Sequence, residues 1–423
     1  MRDDRAMTGN CGPGDLDLAI SGGGLVGASL ALALAPLGLR IAIVEAVPPG
    51  GADQPSFDER TTALANGSVR IFRSLGVWRH MEREATPIRR IHVSEQGRFG
   101  VARIDAAEQG LEALGYVVPN RVMGAALWEG LRTAPGIQVI APARVVDTAI
   151  VPGARTLRVE RAGGEVIGMS AKLVVAADGA RSAIREQAGI AAEHWEYSQT
   201  AIISTMATQR FHDHVAYERF TPDGPIAVLP LSDGRCGIVW TRRPEEAARL
   251  LALPDEAFLA ELQSAFGFRL GRLLRIGARH SYDLALSRSE RHVAERLAIV
   301  GNAAQGLHPI AGQGFNLGLR DAASLAEVLA DALAGGATDV GAEAPLRAYA
   351  AWRAEDRGRI VAFTDGLVRL FGTPLGALRG LRSVGLLAFD SFPPAKSAMA
   401  RLSVGAANRI PRLARGAPLA GER

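Results

Sequence analysis

The stretch DLDLAISGGGLVGASLALALAPLGLRIAIVE, residues 15–45, decides the fold. Leu16 to Ile20 is a short apolar run that reads as a strand. Gly22-Gly23-Gly24-Leu25-Val26-Gly27 follows and fits G-x-G-x-x-G. Ala28 to Leu37, rich in Ala and Leu, reads as a helix, and Leu39 to Val44 as a second strand ending at Glu45. The glycine pattern alone is weak; between strand and helix, with an acid about 20 residues on, it is a dinucleotide fingerprint. Gly22 allows the tight turn, Gly24 lets a pyrophosphate approach the backbone, and Gly27 lets the helix pack on the strand. Glu45 accepts from a ribose hydroxyl. The uncharged run Leu18 to Leu39 is long enough to span a bilayer. Ser21, the glycine cluster and Pro36 interrupt it, however, and Asp15 and Asp17 precede it rather than basic residues, which favours the nucleotide reading.

A second glycine-rich loop lies far away. Leu297 to Val300 reads as a strand, and Gly301-Asn302-Ala303-Ala304-Gln305-Gly306-Leu307-His308-Pro309-Ile310-Ala311-Gly312-Gln313 leads to a helix opening at Gly314. Backbone amides and a helix N-terminus converging there suit a ligand carrying negative charge. Between the two loops, the apolar strand Leu173 to Ala177 delivers Asp178-Gly179 to a loop.

The chain has 423 residues, enough for two or three domains, and its 48% hydrophobic and 22% charged content is that of a globular protein. Two distant cysteines, Cys11 and Cys236, exclude a disulfide framework, a C-x-x-C redox pair and a cysteine metal site, and point to a reducing cytoplasmic setting. The pI of 9.4 does not argue for nucleic acid. Net charge is only +4, Lys172 and Lys396 are the only lysines, and no dense basic run with interleaved aromatics occurs. His212-Asp213-His214 lacks further ligands, so no metal is expected and a solvated turn is.

Along the chain, Thr61 to Leu75 reads as a helix and Ile91 to Val118 as short strands of a different sheet. Val139 to Val146, Arg155 to Arg161 and Glu165 to Met169 read as an antiparallel meander. Runs between Ile202 and Trp240 read as strands separated by turns, and Ala257 to Phe266 as a helix. The expected fold is α/β. A Rossmann-like nucleotide domain, discontinuous over 15–90, 119–190 and 291–360, holds an inserted, largely antiparallel β substrate domain (91–118 and 191–290). A C-terminal helical region covers 361–423.

These segments together resemble the flavin-dependent aromatic hydroxylases of the p-hydroxybenzoate hydroxylase type, over nearly the whole chain. Phe57-Asp58-Glu59-Arg60-Thr61-Thr62-Ala63-Leu64, Gly301-Asn302-Ala303-Ala304-Gln305 and Glu261-Leu262-Gln263-Ser264-Ala265-Phe266-Gly267 are similar to the ubiquinone-biosynthesis branch, most of all to the 2-polyprenyl-6-methoxyphenol hydroxylases. The class pattern has Asp after Gly301; Asn302 can still hydrogen-bond a ribityl hydroxyl but brings no charge. The resemblance implies FAD as cofactor, NAD(P)H as electron donor, O2 as co-substrate, and a polyprenylated phenol as substrate. It implies that Gly22, Gly24 and Gly27 hold the FAD pyrophosphate and Glu45 the adenosine ribose. Arg60 and Arg121 would contact the phosphates or adenosine side. Asp178 and Gly179 would sit on the nicotinamide route, Asn302 by the ribityl chain and pyrophosphate, and Gly312, Gly314 and Asn316 at the flavin N1–O2 edge. His308 and Pro309 would wall the reacting ring.

The tail, Leu367 to Gly421, sets eight basic residues, Arg369 and Arg409 among them, against the single acid Asp390, with leucines and phenylalanines between. It reads either as a contact with an anionic membrane surface or with other ubiquinone-biosynthesis proteins, or as a helical cap on the substrate domain. The first option would make the enzyme peripheral at the inner face of the membrane. Two rival functions share the FAD loops: an isoprenoid reductase or cyclase, which O2 consumption distinguishes, and a non-catalytic flavoprotein scaffold, which turnover distinguishes.

Overall fold

The computed structural model describes residues 16–47, 60–306, 313–372, 390 and 409–419. Strands β1 (Leu16–Ser21) and β2 (Ile41–Val44) are buried along nearly their whole length, the mark of strands covered on both faces. Helix α1 (Leu25–Leu34) joins them. It gives way to a 3-10 turn at Ala35–Leu37, where Pro36 has no amide to donate. β1 lies between β2 and β11 (Val166–Ala176), both parallel to it, with Ser21 opposite Val44 on one side and Ala176 on the other. β19 (Leu297–Ile299) continues the parallel sheet beyond β11, and β8 (Ile137–Ile140) beyond β2. β18 (Val293–Ala294) adds an antiparallel edge. The expected meander is present: β9 (Ala143–Val151) and β10 (Ala154–Arg161) fold back on the first half of β11. Helices α3 (Asn120–Thr133), α7 (Gln313–Ala334) and α8 (Glu343–Gly372) share one apolar core with α1 and this sheet.

A second sheet runs β20-β17-β12-β15-β14-β13-β5-β6, with β16 off β12. Its members are β5 (Arg90–Glu95), β6 (Val101–Asp105), β12 (Ala192–Thr208), β13 (Val215–Thr221), β14 (Gly224–Pro230), β15 (Arg235–Arg242), β16 (Leu273–Ile276), β17 (His280–Ser289) and β20 (Gln305–Gly306). All its pairings are antiparallel except β13 with β5. One face is covered by α5 (Pro244–Leu251) and α6 (Asp255–Phe266), whose Phe258, Leu262 and Phe266 pack on Ile202, Ile226, Val228, Ile238 and Trp240. The other face turns toward a small sheet of β3 (Thr61–Ala65), β4 (Thr86–Ile88) and β7 (Gly115–Pro119).

Two local expectations change. Thr61–Ala65 is a strand, not the start of a helix; its threonines favour extended backbone and pair with β7, and α2 (Asn66–Ser74) begins only after Ala65. His212 is buried rather than in a solvated turn. Its Nδ1 accepts from the His214 amide (3.1 Å), which leaves Nε2 to donate to the Leu231 carbonyl (3.0 Å).

Candidate functional site

The parallel strands β2, β1, β11 and β19 end side by side, and each delivers a loop at its carboxyl end. Glu45 follows β2, Gly22 follows β1, Asp178 follows β11 and Gly301 opens the turn after β19. Ligands of open α/β sheets bind at such a row of strand ends.

The glycine loop is built by close approach. Gly22 has φ +101°, and a Cβ there would collide with the Ala177 carbonyl; a Cβ on Gly27 would strike the Gly22 carbonyl. The N-terminus of α1 has no side-chain cap and no acid in its first turn. Its amides therefore remain available to an anion. The Glu45 carboxylate turns back on the loop: one oxygen accepts from the Gly23 amide (2.5 Å) and the other from the Val47 amide (2.9 Å).

Asp178 sits beside this loop. Its Oδ1 is buried with no hydrogen-bond partner among the described residues, and burial raises its pKa above the usual carboxylate range. Ser182 caps α4 (Ala183–Gln187) by accepting from the Arg185 amide (3.1 Å). The buried Arg185 guanidinium then bridges two loops, donating to the carbonyls of Ala180 (3.0 Å) and Ala303 (3.1 Å).

The Gly301 loop is held from behind by buried charge. Asp321 on α7 accepts from the Gly301 amide (3.0 Å) and the Gln305 side chain (3.2 Å), and its other oxygen from Arg353 Nε (2.7 Å). Arg353 also pairs with Asp356, which faces Arg320 (3.6 Å). All four of these residues are buried. Asn302 points outward and is exposed. The sequence reading missed Arg185, Asp321, Arg353 and Asp356. Their signal was charge on helical faces otherwise lined by residues such as Leu317, Leu325, Tyr349 and Trp352.

Strand ends thus bring together Gly22, Gly24, Gly27, Glu45, Asp178, Gly179 and Asn302. Gly314 opens α7. The Asn316 side chain has a mechanical role: it accepts from the Ala65 amide (2.8 Å) and the Ser68 hydroxyl (2.7 Å) and donates to the Ala63 carbonyl (2.9 Å). It so locks α7 to the β3–α2 junction. The Arg60 guanidinium lies over the Tyr282 ring at 5.0 Å, and Arg121 forms a half-exposed ion pair with Glu84. His308, Pro309 and Gly312 lie outside the described residues.

These residues fit a bound dinucleotide. The loop backbone is packed so tightly that Gly22 and Gly27 admit no Cβ, the α1 amides lack a side-chain cap, and a buried carboxylate oxygen beside them lacks a partner among the described residues.

Comparison with known proteins points the same way. A family model described as an FAD binding domain matches residues 15–364. The chain is 40% identical to ubiquinone hydroxylase UbiL of Rhodospirillum rubrum, covering 95% of this chain and 93% of that protein. It is 35% identical to 3-demethoxyubiquinol 3-hydroxylase of Escherichia coli, covering 88% and 94%. Among solved structures, p-nitrophenol 4-monooxygenase PnpA of Pseudomonas putida superposes with a TM-score of 0.77 over 94% of this chain and 99% of that one, at 18% identity, a likeness of fold.

Proposed function

The chain belongs to the FAD binding domain family, and from that premise we propose that it hydroxylates the aromatic ring of a polyprenylated phenol in ubiquinone biosynthesis. It is an FAD-dependent monooxygenase that uses NAD(P)H and O2. The observation that carries the reading is the convergence of three backbone loops, at Gly22, Asp178 and Gly301, on adjacent parallel strand ends. The proposed division is a FAD-binding part (15–90, 119–190, 291–360), a substrate part (91–118, 191–290) and a helical tail (361–423).

Bound FAD supplies a carrier that takes hydride from a nicotinamide and activates oxygen. The protein's part is to bind, orient and exclude water. The Gly22–Gly27 loop offers the uncapped amides of α1 to the pyrophosphate. Glu45 takes the adenosine ribose, and Asn302 a ribityl hydroxyl. Arg60 and Arg121 serve the phosphate and adenosine side. Gly312, Gly314 and Asn316 would lie at the flavin N1–O2 edge, with the start of α7 beside it. A helix N-terminus there favours negative charge by about 0.5–1 kcal/mol. Asp178 and Gly179 border the nicotinamide route, and His308-Pro309 walls the reacting ring against water. Basic residues of the tail, Arg379, Arg382 and Arg401 among them, are assigned to an anionic membrane surface that presents the lipid-borne substrate. Among the described residues no helix is long and apolar enough to cross a membrane.

The purified protein is expected to be yellow with non-covalent FAD. With NADPH and 2-geranylphenol it should consume O2 and yield a product heavier by one oxygen atom. A reductase or cyclase would change the prenylated compound without O2 uptake, and a scaffold would show no turnover; either result overturns the hydroxylase reading.

A further inference from the structure

The large-sheet face turned away from α5 and α6 carries a carboxyl that the site described above does not use. Glu218 is the middle residue of β13. It stands opposite Ala227 of β14 and Val93 of β5; Ala227 faces Val239, and Val239 faces Ile203. Directly paired residues share a face, so Glu218 lies in a row of apolar side chains. Every member of that row is only half-buried, although it crosses the interior of the sheet.

Neighbouring rows show what the face looks at. On one side Ala216 and Leu231 pack with Ile88 and Val117 of the small sheet. On the other, Tyr282 lies under Arg60. A Cβ on Gly237 would come within 3.4 Å of Thr61 Oγ1. The β3 strand, which follows Arg60 and is locked to α7 by Asn316, therefore stands over this face. Between them runs the half-buried apolar row of Val93, Ala227, Val239 and Ile203, with the Glu218 carboxyl set in it. No hydrogen bond or ion pair engages Glu218 among the described residues, and burial alone pushes its pKa up to about 7. A carboxylate so placed can accept hydrogen bonds but not donate them, which suits an apolar ring bearing a single hydroxyl.

We infer that Glu218 binds the phenolic hydroxyl of the substrate and holds its proton while the ring is hydroxylated. This rests on the hydroxylase reading above. The O–O bond of the oxygen supplied by O2 breaks as one atom bonds to the ring carbon; the other departs at the level of water, carrying the two electrons that NAD(P)H supplies, while the phenol O–H breaks and its proton passes to the Glu218 carboxylate. The electron pair left on the phenol oxygen pushes density into the ring. When the attacked carbon gives up its hydrogen as a proton, which the departing oxygen takes up on its way to water, the carboxyl returns the held proton to the phenol oxygen and the ring becomes aromatic again. Other ionisable groups on this face and on the chain facing it are Glu95, Arg235, Arg275, His280, Tyr282 and Arg60.

The test uses the purified flavoprotein with 2-geranylphenol and its methyl ether, which lacks the phenolic proton. The parent should bind the phenol about tenfold more tightly than the ether at pH 8, as expected of a hydrogen bond to a charged acceptor. Glu218→Leu should bind the two equally. Parent kcat/KM should rise with pH through about 7 as the carboxyl ionises, and Glu218→Gln should lose that rise. FAD content reports folding of both variants; should Glu218→Leu lose FAD, the nearly isosteric Glu218→Gln carries the test through its pH profile. A parent that hydroxylates the phenol while both variants keep its phenol-to-ether ratio and pH profile overturns the inference and leaves the hydroxylase reading standing. A parent without O2 uptake on either compound removes the hydroxylase reading itself.

Discussion

At the scale of single residues, the site is made by groups placed where they are uncomfortable alone. Asp178 has a buried oxygen without a partner, and Glu218 a half-buried, desolvated carboxyl with no partner, among the described residues. Such groups weaken the fold and are kept where a ligand completes them. For Glu218 the linkage has a definite sign. Its pKa is about 7 when folded and near 4.5 when unfolded. Between those values the native chain holds a proton that the unfolded chain has released. Stability therefore falls as pH rises across that window, and the whole penalty is present above it. Glu218→Gln should accordingly be more stable than the parent at pH 8, by roughly 1–3 kcal/mol in urea denaturation, and close to it below pH 4.5. A variant that is less stable at pH 8, or offset equally at both pH values, would contradict the placement of this carboxyl in low-dielectric surroundings. Together with the loss of phenol selectivity, the gain would mark a position where stability is traded for chemistry.

At the scale of elements, strands β1 and β2, helix α1 and the meander β9–β11 were legible because local pattern and tertiary demand agree there. An apolar run, a turn glycine and an Ala-rich helix each state one structure. Thr61–Ala65 was misread because periodicity in a short apolar run does not separate strand from helix, and the partner that decides it, Gly115–Pro119, lies some fifty residues away. The loop residues were legible by type, whereas the scaffold behind them was not. Nothing local indicates that Asn316 spends its amide on Ala63, Ala65 and Ser68, or that Asp321 anchors the Gly301 amide. The Asp321 network gives the prediction at this scale. Asp321→Ala removes one partner of a buried pair and leaves the Arg353 guanidinium 1% exposed without it. Breaking a buried pair this way costs about 3–5 kcal/mol. The Gly301 amide loses its acceptor at the same time. Calorimetry should show the drop in stability, and FAD should wash out of the variant on gel filtration more readily than from the parent. Parent-like stability would mean that the network is dispensable and that the turn is held by β19 and α7 packing alone.

At the scale of the whole molecule, the small sheet of β3, β4 and β7 packs on the large antiparallel sheet, and residues 409–419 join the core of the nucleotide-binding part. The tail was expected either to cap the substrate domain or to meet a membrane. Its described end is no cap on the substrate domain: residues 409–419 dock on the nucleotide-binding helices. Leu413, Ala414 and Leu419 enter the same core as α1, α2 and α7. The Ser74 hydroxyl donates to the Leu413 carbonyl (2.9 Å) and the Trp352 indole to the Arg409 carbonyl (3.3 Å). Arg409 stacks on Trp352 at 3.8 Å and pairs with Glu327 (3.2 Å), while Arg412 pairs with Asp331 and gives its amide to Glu327 (2.6 Å). Composition could not reveal this, because basic residues that serve a bilayer and basic residues that clamp a chain end to acidic helices look alike in sequence. The distinction is experimental. If these arginines are clamps, Arg409→Gln with Arg412→Gln should lower unfolding free energy by about 1–2 kcal/mol, since Glu327 is left buried and underpartnered. Sedimentation with anionic liposomes at low salt should be unchanged, because any lipid contact then belongs to residues 373–408. Reduced liposome binding with parent-like stability would reverse the assignment and return Arg409 and Arg412 to the membrane surface.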